Sequence, residues 1–286
     1  MKENKPKHQQ SVKIPKVILF TAKLFEKVSS DLATQFAMKL FITPIRYKTP
    51  KREFEMDKNS RQELLMVPAI QKEVILYHYG SSDKKVLLVH GWSGRGTQLV
   101  KIADELLKSG YATISFDAPG HGKSPGKTSN MKEFIAAILE IEKQYGPFEY
   151  AIGHSLGGMS VMNAIKQQLK VKKAIIIGSG DIVKDIMDDF ILKLGLKKEI
   201  SQRMKARFEH KFGETMENFS SYIAAETATI PVLVIHDEDD DDVPVKAAHH
   251  IYKHLKDGQL MITKDLGHRK ILGDSKVIKR IMEFLH

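Results

Sequence analysis

The segment Gly153-His154-Ser155-Leu156-Gly157 places a serine hydroxyl between two glycines, each two residues away. Short apolar residues lead into it from Tyr150, and a helix-compatible run, Met159–Leu169, follows. A strand, a sharp turn and a helix form the setting in which a serine is presented as a nucleophile. The serine would hold strained backbone at the tip of the turn, and the glycines let strand and helix approach each other. The helix start would direct unpaired N–H groups and partial positive charge at an oxyanion formed there. A hydroxyl is a poor nucleophile until a base takes its proton. An imidazole base in turn needs a carboxylate to fix its tautomer and stabilise its cation.

Alternating strands and helices must position these groups. Continuous apolar runs at Val86–His90, Ala112–Phe116, Tyr150–Gly153, Ala174–Ile177 and Val232–Ile235 read as strands buried on both faces. A shorter strand is expected at Leu260–Ile262. Helices are expected over Gln98–Lys108, Met131–Gln144, Ala247–Leu255 and Asp274–Leu285. Upstream, Glu73–Tyr79 is β-branched and aromatic, and Arg52–Met56 alternates like a strand. Strands alternating with helices predict an α/β fold with a mainly parallel sheet and helices on both faces. Residues 181–228 break the rhythm. Ile182, Val183, Ile186, Met187, Phe190, Ile191 and Leu194 form one helical stripe, and Ile200, Met204, Phe208 and Phe212 another. A helical insertion between two strands follows.

The chain of 286 residues carries a formal charge of +10 and no cysteine. Disulfides, thiolate metal sites and cysteine nucleophiles are thereby excluded, and a reducing, cytoplasmic setting is expected. The charge is local: residues 1–52 hold 12 Lys/Arg against 3 Asp/Glu, which is +9 of the total. Residues 1–14 are polar and Lys-rich, a composition expected to be disordered. From Val17 to Phe41, apolar residues recur at Val17, Phe20, Leu24, Val28, Leu32, Phe36 and Leu40, one face of an amphipathic helix. Charges at Lys23, Lys27, Asp31 and Lys39 interrupt it too often for a membrane span. It also lacks the apolar core and small-residue cleavage site of a secretory signal. The helix is expected to dock on the domain, with peripheral membrane contact through Val17–Phe41 as the alternative.

Two phosphate-binding patterns fail on spacing. Gly91, Gly94 and Gly96 stand in the order Gly-x-x-Gly-x-Gly, which is not the dinucleotide fingerprint. Gly122-Lys123-Ser124 and Gly126-Lys127-Thr128 end like a P-loop, but the earlier glycines they require are Asp117 and His121. A calcium loop in the acidic run Asp237–Asp242 would need a central glycine, which is missing. No cofactor, metal or nucleic-acid partner is expected.

Residues from about 84 to 286 resemble the α/β-hydrolase family, specifically its serine hydrolases of esterase and lipase type. The resemblance rests on His90-Gly91-Trp92, Asp117-Ala118-Pro119-Gly120-His121-Gly122-Lys123-Ser124, Gly153-His154-Ser155-Leu156-Gly157-Gly158, His236-Asp237-Glu238-Asp239-Asp240 with Val243-Pro244, and Gly267-His268. Each sits at a strand end, and they follow the family's order. The resemblance implies Ser155 as nucleophile, His268 as base and an acid between them in the chain. The family's spacing, four residues after a strand-ending His and before Val-Pro, selects Asp240, with Asp239, Asp241 and Asp242 left open. Asp237 departs from the family's usual Gly. The backbone N–H groups of Trp92 and Leu156 would form the oxyanion hole. His121, His154, His249 and His250 are expected to take no part in catalysis, with His154 turned away from the substrate.

The expected organisation is a basic N-terminal extension (1–50), an α/β-hydrolase core (51–180 and 229–286) and a helical lid (181–228). The expected activity is cleavage of a carboxylic ester with an apolar group. A thioesterase, an amidase or peptidase, or a non-catalytic ligand-binding protein on the same scaffold are the alternatives. Family members that open epoxides or remove halides carry Asp at the nucleophile position, so Ser155 disfavours those reactions.

Overall fold

The computed structural model describes residues 14–286; the expectation for the polar leading residues lies outside them, apart from Ile14. The chain enters through helices α1 (Lys16–Val28) and α2 (Ser30–Phe41). A 3-10 turn, Lys51–Glu53, leads into α3 (Phe54–Asn59) and a hairpin of β1 (Arg61–Val67) and β2 (Lys72–Tyr79). There follow β3 (Lys85–Val89), α4 (Val100–Lys108), β4 (Ala112–Asp117), α5 (Met131–Tyr145), β5 (Tyr150–His154), α6 (Leu156–Lys166) and β6 (Lys173–Ile177). Helices α7 (Val183–Lys193), α8 (Lys198–Phe212) and α9 (Ser221–Thr227) precede β7 (Val232–Asp237). The chain closes with α10 (Lys246–His254), β8 (Gly258–Thr263), the short α11 (Gly267–Lys270) and α12 (Ser275–Leu285).

The strands form one sheet in the order β1-β2-β4-β3-β5-β6-β7-β8. Pairing is antiparallel at β1/β2 and β2/β4 and parallel from β4 to β8. The side-chain period of two splits each central strand between two cores. In β6, Ala174 and Ile176 join the core that holds the buried residues of α5 and α6, while Ile175 and Ile177 join the core that holds those of α4 and α12. All four side chains are buried, which is why the strand reads as an unbroken apolar run. Each isoleucine removed from water contributes about 1.5–3 kcal/mol. Parallel strands all point the same way, so the C-terminal ends of β3, β5, β6 and β7 gather at one edge of the sheet.

Three local expectations are corrected. The single helix over Val17–Phe41 is two helices. Ser29 between them is extended (φ −164°, ψ 130°), and its hydroxyl accepts the Asp31 N–H as an N-cap. The apolar face is also divided. Ile18, Leu19, Ala22 and Phe25 face the domain, whereas Val17, Phe20, Leu24, Val28 and Leu32 are exposed and Phe36 and Leu40 turn inward. α1 is apolar on both sides, so spacing alone could not choose the docked one. Arg52–Met56 is helical rather than extended. Pro50 opens the 3-10 turn, and Glu53 is drawn inward to accept the Thr97 hydroxyl at 2.8 Å beside Arg95.

Candidate active site

Ser155 stands between β5 and α6 with φ 54° and ψ −122°, outside the comfortable regions for a residue with a side chain. The turn is held by its surroundings. The Ser155 N–H donates to the Ile177 carbonyl at 2.9 Å, tying the nucleophile candidate to the end of β6. A Cβ on Gly157 would lie 2.3 Å from the Val89 carbonyl oxygen, so only glycine lets α6 start this close to β3. Leu156 is the first residue of α6, and its N–H precedes the first bonded N–H groups of the helix, those of Gly158 and Met159, both to Ser155 O. The loop after β3 passes beside the serine: a Cβ on Gly91 would come within 2.9 Å of Ser155 Cβ. Trp92 follows directly and lines the same cavity as Ser155.

That loop is pinned from below. His90 is buried; its Nδ1 bonds the Gly91 carbonyl at 2.7 Å and its Nε2 accepts the Ala118 N–H at 3.0 Å. Burial holds the imidazole pKa well below the ordinary range, so the ring is neutral with its proton on Nδ1. The Gln98 side chain accepts the Gly91 N–H at 2.9 Å. The P-loop-like lysine is engaged elsewhere: Lys123 pairs with Asp57 and Gln62.

On the other side of Ser155, His268 Nδ1 lies 2.7 Å from Asp240 Oδ2. Of the six acids in the run, Asp240 is the one whose carboxylate meets His268. Its second oxygen accepts the N–H groups of Asp242 and Val243, at 2.9 and 2.8 Å. Burial raises the Asp240 pKa, but the bond from His268, its charge and the Val243 N–H outweigh that, leaving it below the usual carboxylate range. The neighbouring His236 is neutral through burial and bonds the Val243 carbonyl at 2.8 Å. Asp239 accepts the Asp265 N–H instead, and Asp241 is exposed.

The serine and the His–Asp pair converge at the end of β6. Gly178, one residue past the Ile177 carbonyl that holds Ser155, has φ +56°, and a Cβ there would be 3.2 Å from His268 Nδ1. Two positioning residues escaped the sequence reading. His154, expected to take no part in catalysis, is buried and bonds the His268 carbonyl at 2.9 Å, with the two rings 4.6 Å apart. Burial, reinforced by the His268 charge, depresses its pKa to about 3, so the ring is neutral and its Nε2–H is the donor. Asp237 clamps the loop that carries His268. One oxygen accepts the N–H groups of Gly267 and Asp239 at 2.8 and 3.1 Å; the other accepts the Thr263 hydroxyl at 2.6 Å and the Leu266 N–H at 3.2 Å. Burial opposes the charge, but these four bonds prevail and hold the carboxyl below its ordinary pKa. The only sequence signal was the acid standing where the family resemblance led one to expect glycine.

Ser155, Leu156, Trp92 and His268 open into one cavity of about 2330 Å³. That exceeds the several hundred Å³ of an ordinary small-molecule pocket. Its walls come from α7 and α8 (Ile186, Phe190, Phe208) and, unforeseen from the sequence, from the N-terminal helices (Ile18, Leu19, Phe41). Phe41 makes edge contact with Phe190, ring centres 5.1 Å apart, joining the two sources of wall. Further round, Asp181 and His250 form a second acid–imidazole contact at 2.5 Å. Asp181 also accepts the Tyr222 N–H at the start of α9, a capping role.

A family model described as the alpha/beta hydrolase family matches residues 86–274. A 2-hydroxy-6-oxononadienedioate/2-hydroxy-6-oxononatrienedioate hydrolase of Escherichia coli K12 is 24% identical over 243 residues, spanning 66% of this chain and 82% of that protein. Among solved structures, an esterase from Pyrococcus furiosus aligns with a TM-score of 0.64 at 20% identity, covering 85% of this chain and 98% of its own. An esterase from Exiguobacterium antarcticum aligns at 0.62 and 16% identity, over 79% of this chain and 99% of its own. With the matched segment running from β3 past His268, this chain belongs to the alpha/beta hydrolase family, and the two esterases share its fold.

Proposed function

We propose that this hydrolase cleaves carboxylic esters bearing a long apolar group, through an acyl-enzyme on Ser155. The observation that carries the reading is the His268–Asp240 contact at 2.7 Å, beside a serine in strained backbone at the floor of a large apolar cavity. His268 takes the Ser155 proton as Oγ attacks the ester carbonyl. Asp240 accepts the Nδ1–H, fixing the tautomer that leaves Nε2 free as base and stabilising the imidazolium. The oxyanion is held by the N–H groups of Leu156 and Trp92, helped by the positive end of α6. Collapse expels the alcohol, which takes its proton from His268. A water activated by the same imidazole then attacks the acyl-enzyme and releases the acid.

The helices between β6 and β7 (within residues 181–228) are the lid of this reading. Residues 51–180 and 229–286 are its catalytic core, and the N-terminal segment (1–50) completes the roof through α1 and α2. An acyl chain lying against Phe41, Phe190 and Phe208 accounts for the cavity's size and apolar walls. Thioesters and amides would meet the same machinery and belong in the substrate panel.

The test is labelling by a fluorophosphonate probe, wild type beside Ser155→Ala and His268→Ala, followed by hydrolysis of p-nitrophenyl esters of increasing acyl length. Labelling lost in both variants, with circular dichroism unchanged, and rates rising with chain length are expected. A folded wild type that neither takes the probe nor cleaves any ester, thioester or amide of the panel overturns the reading.

A further inference from the structure

α1 carries apolar side chains on two opposite faces, and among the described residues only one has a partner. Ile18, Leu19, Ala22 and Phe25 pack inward, with Phe25 edge-on to Phe36 at 5.3 Å. Val17, Phe20, Leu24 and Val28 point away from the protein and are 47–69% exposed. At about 100° per residue these four fall within an arc of about 80°. Lys16, Lys23 and Lys27 follow along one flank of that arc. The helix's acid, Glu26, is largely buried: one oxygen accepts the Lys197 N–H at 2.6 Å and the other pairs with Lys23 at 3.3 Å, leaving Lys16 and Lys27 as the flank's lysines without an acid on this helix. The exposed stripe continues onto α2 through Leu32, and α7 adds the exposed Leu192.

Nothing among the described residues covers these large apolar side chains, on a helix already docked by its other face. A helix apolar all round is ordinarily buried. Among the described residues, no helix is long and apolar enough to cross a membrane. A face combining an apolar stripe with a lysine flank matches a helix lying in a lipid interface: side chains enter the acyl boundary and ammonium groups meet anionic headgroups. The charge distribution agrees, since +9 of the chain's +10 lies within residues 1–52. We infer that the outer face of α1 docks on an anionic lipid bilayer. The inner face of the same helix lines the cavity through Ile18 and Leu19, so docking would bring the cavity wall against the membrane.

Flotation with vesicles of phosphatidylcholine containing phosphatidylglycerol, against phosphatidylcholine alone, tests this on the full chain. Wild type is expected to float with the anionic vesicles and to be released by high salt. Lys23→Glu/Lys27→Glu is expected to weaken binding roughly twenty-fold or more, about five-fold per lysine removed. Phe20→Ser/Leu24→Ser/Val28→Ser should weaken it on the order of a hundred-fold, with unchanged circular dichroism. None of these five residues lines the cavity. A reporter independent of that variant's folding is available because the chain has no cysteine. Leu24→Cys labelled with an environment-sensitive dye should shift its emission to the blue on anionic vesicles only. Wild type that stays unbound, or a triple variant that floats as well as wild type, overturns the inference. So does a wild-type dimer, seen by light scattering, that the triple variant converts to monomer while vesicles are ignored; the face would then join two copies.

Discussion

Replacing Asp237 by asparagine asks whether the clamp on the His268 loop is a charge or only a shape. The carboxylate accepts four hydrogen bonds from Gly267, Asp239, Leu266 and Thr263, two on each oxygen. Asparagine has nearly the same volume but one acceptor. Its better orientation aims the oxygen at the Gly267 and Asp239 N–H groups, while the Thr263 hydroxyl turns to accept from the new NH2. The Leu266 N–H then faces a donor and is orphaned, at about 1–3 kcal/mol. The three remaining bonds lose their charge assistance, at about 0.5–1 kcal/mol each. The variant is therefore expected to be about 2.5–6 kcal/mol less stable in urea at pH 7, with a melting temperature lower by roughly 5–20 °C. The pH dependence has a definite sign. The native carboxyl titrates below its unfolded counterpart, so its stabilisation is fully present above the unfolded value of 3.8 and is lost as pH falls through the lower native one. The gap between wild type and variant should be constant above about pH 5 and narrow below pH 4. Ester turnover should fall on the order of ten- to a hundred-fold as His268 loses its fixed position. Asp241→Asn, in the same acidic run but exposed, is the control and should change stability by less than about 0.5 kcal/mol. A variant as stable as Asp241→Asn, with wild-type turnover, would refute the reasoning.

Further substitutions address separate parts of the site. Asp240→Asn should lower kcat about ten-thousand-fold with little change in KM, because the amide favours the wrong imidazole tautomer; steady-state kinetics decide it. Gly157→Ala brings a Cβ to within 2.3 Å of the Val89 oxygen and should cost about 3 kcal/mol or more, seen as loss of folded protein or of several degrees in melting temperature. His154 is neutral in the fold until about pH 3 but protonates near 6.5 when unfolded, so acidification favours the unfolded chain from about pH 6.5 downward. His154→Phe should therefore lose less stability than wild type between pH 7 and 5, by about 2 kcal/mol in urea titrations. Leu19→Trp, which fills cavity space, should shift the p-nitrophenyl ester optimum toward shorter acyl groups.

The sheet, its helices and its parallel pairing were legible because strands buried on both faces leave continuous apolar runs, as at Ile175–Ile177. The elbow was legible because close approach at Gly157 tolerates no side chain. Side-chain clamps were not. Asp237 and His154 act through partners about 30 and over 100 positions away, and no local pattern encodes such pairs. The face of α1 was misjudged for the opposite reason: two apolar stripes fit the helical period equally well, and only docking on the fold distinguishes them. The wall formed by α1 and α2 was likewise invisible, since it depends on partners in α7 and α8 that are distant in the chain.

The roof of the cavity also sets an order of events during synthesis. Glu26 meets Lys197, 171 positions later, and Asp31 meets Arg207, 176 positions later. At about 5–20 residues per second, α1 and α2 leave the ribosome some ten to thirty seconds before the helices they pack against. Through that interval α1 presents apolar residues on both sides, with lysines along one edge, and has no domain to cover either. Ribosome-bound chains halted before residue 198 should leave α1 open to protease, and chains halted well past α8 should protect it. A helix made early is thus among the last to be seated, and during the wait a chaperone or a lipid surface can reach it before its own fold does.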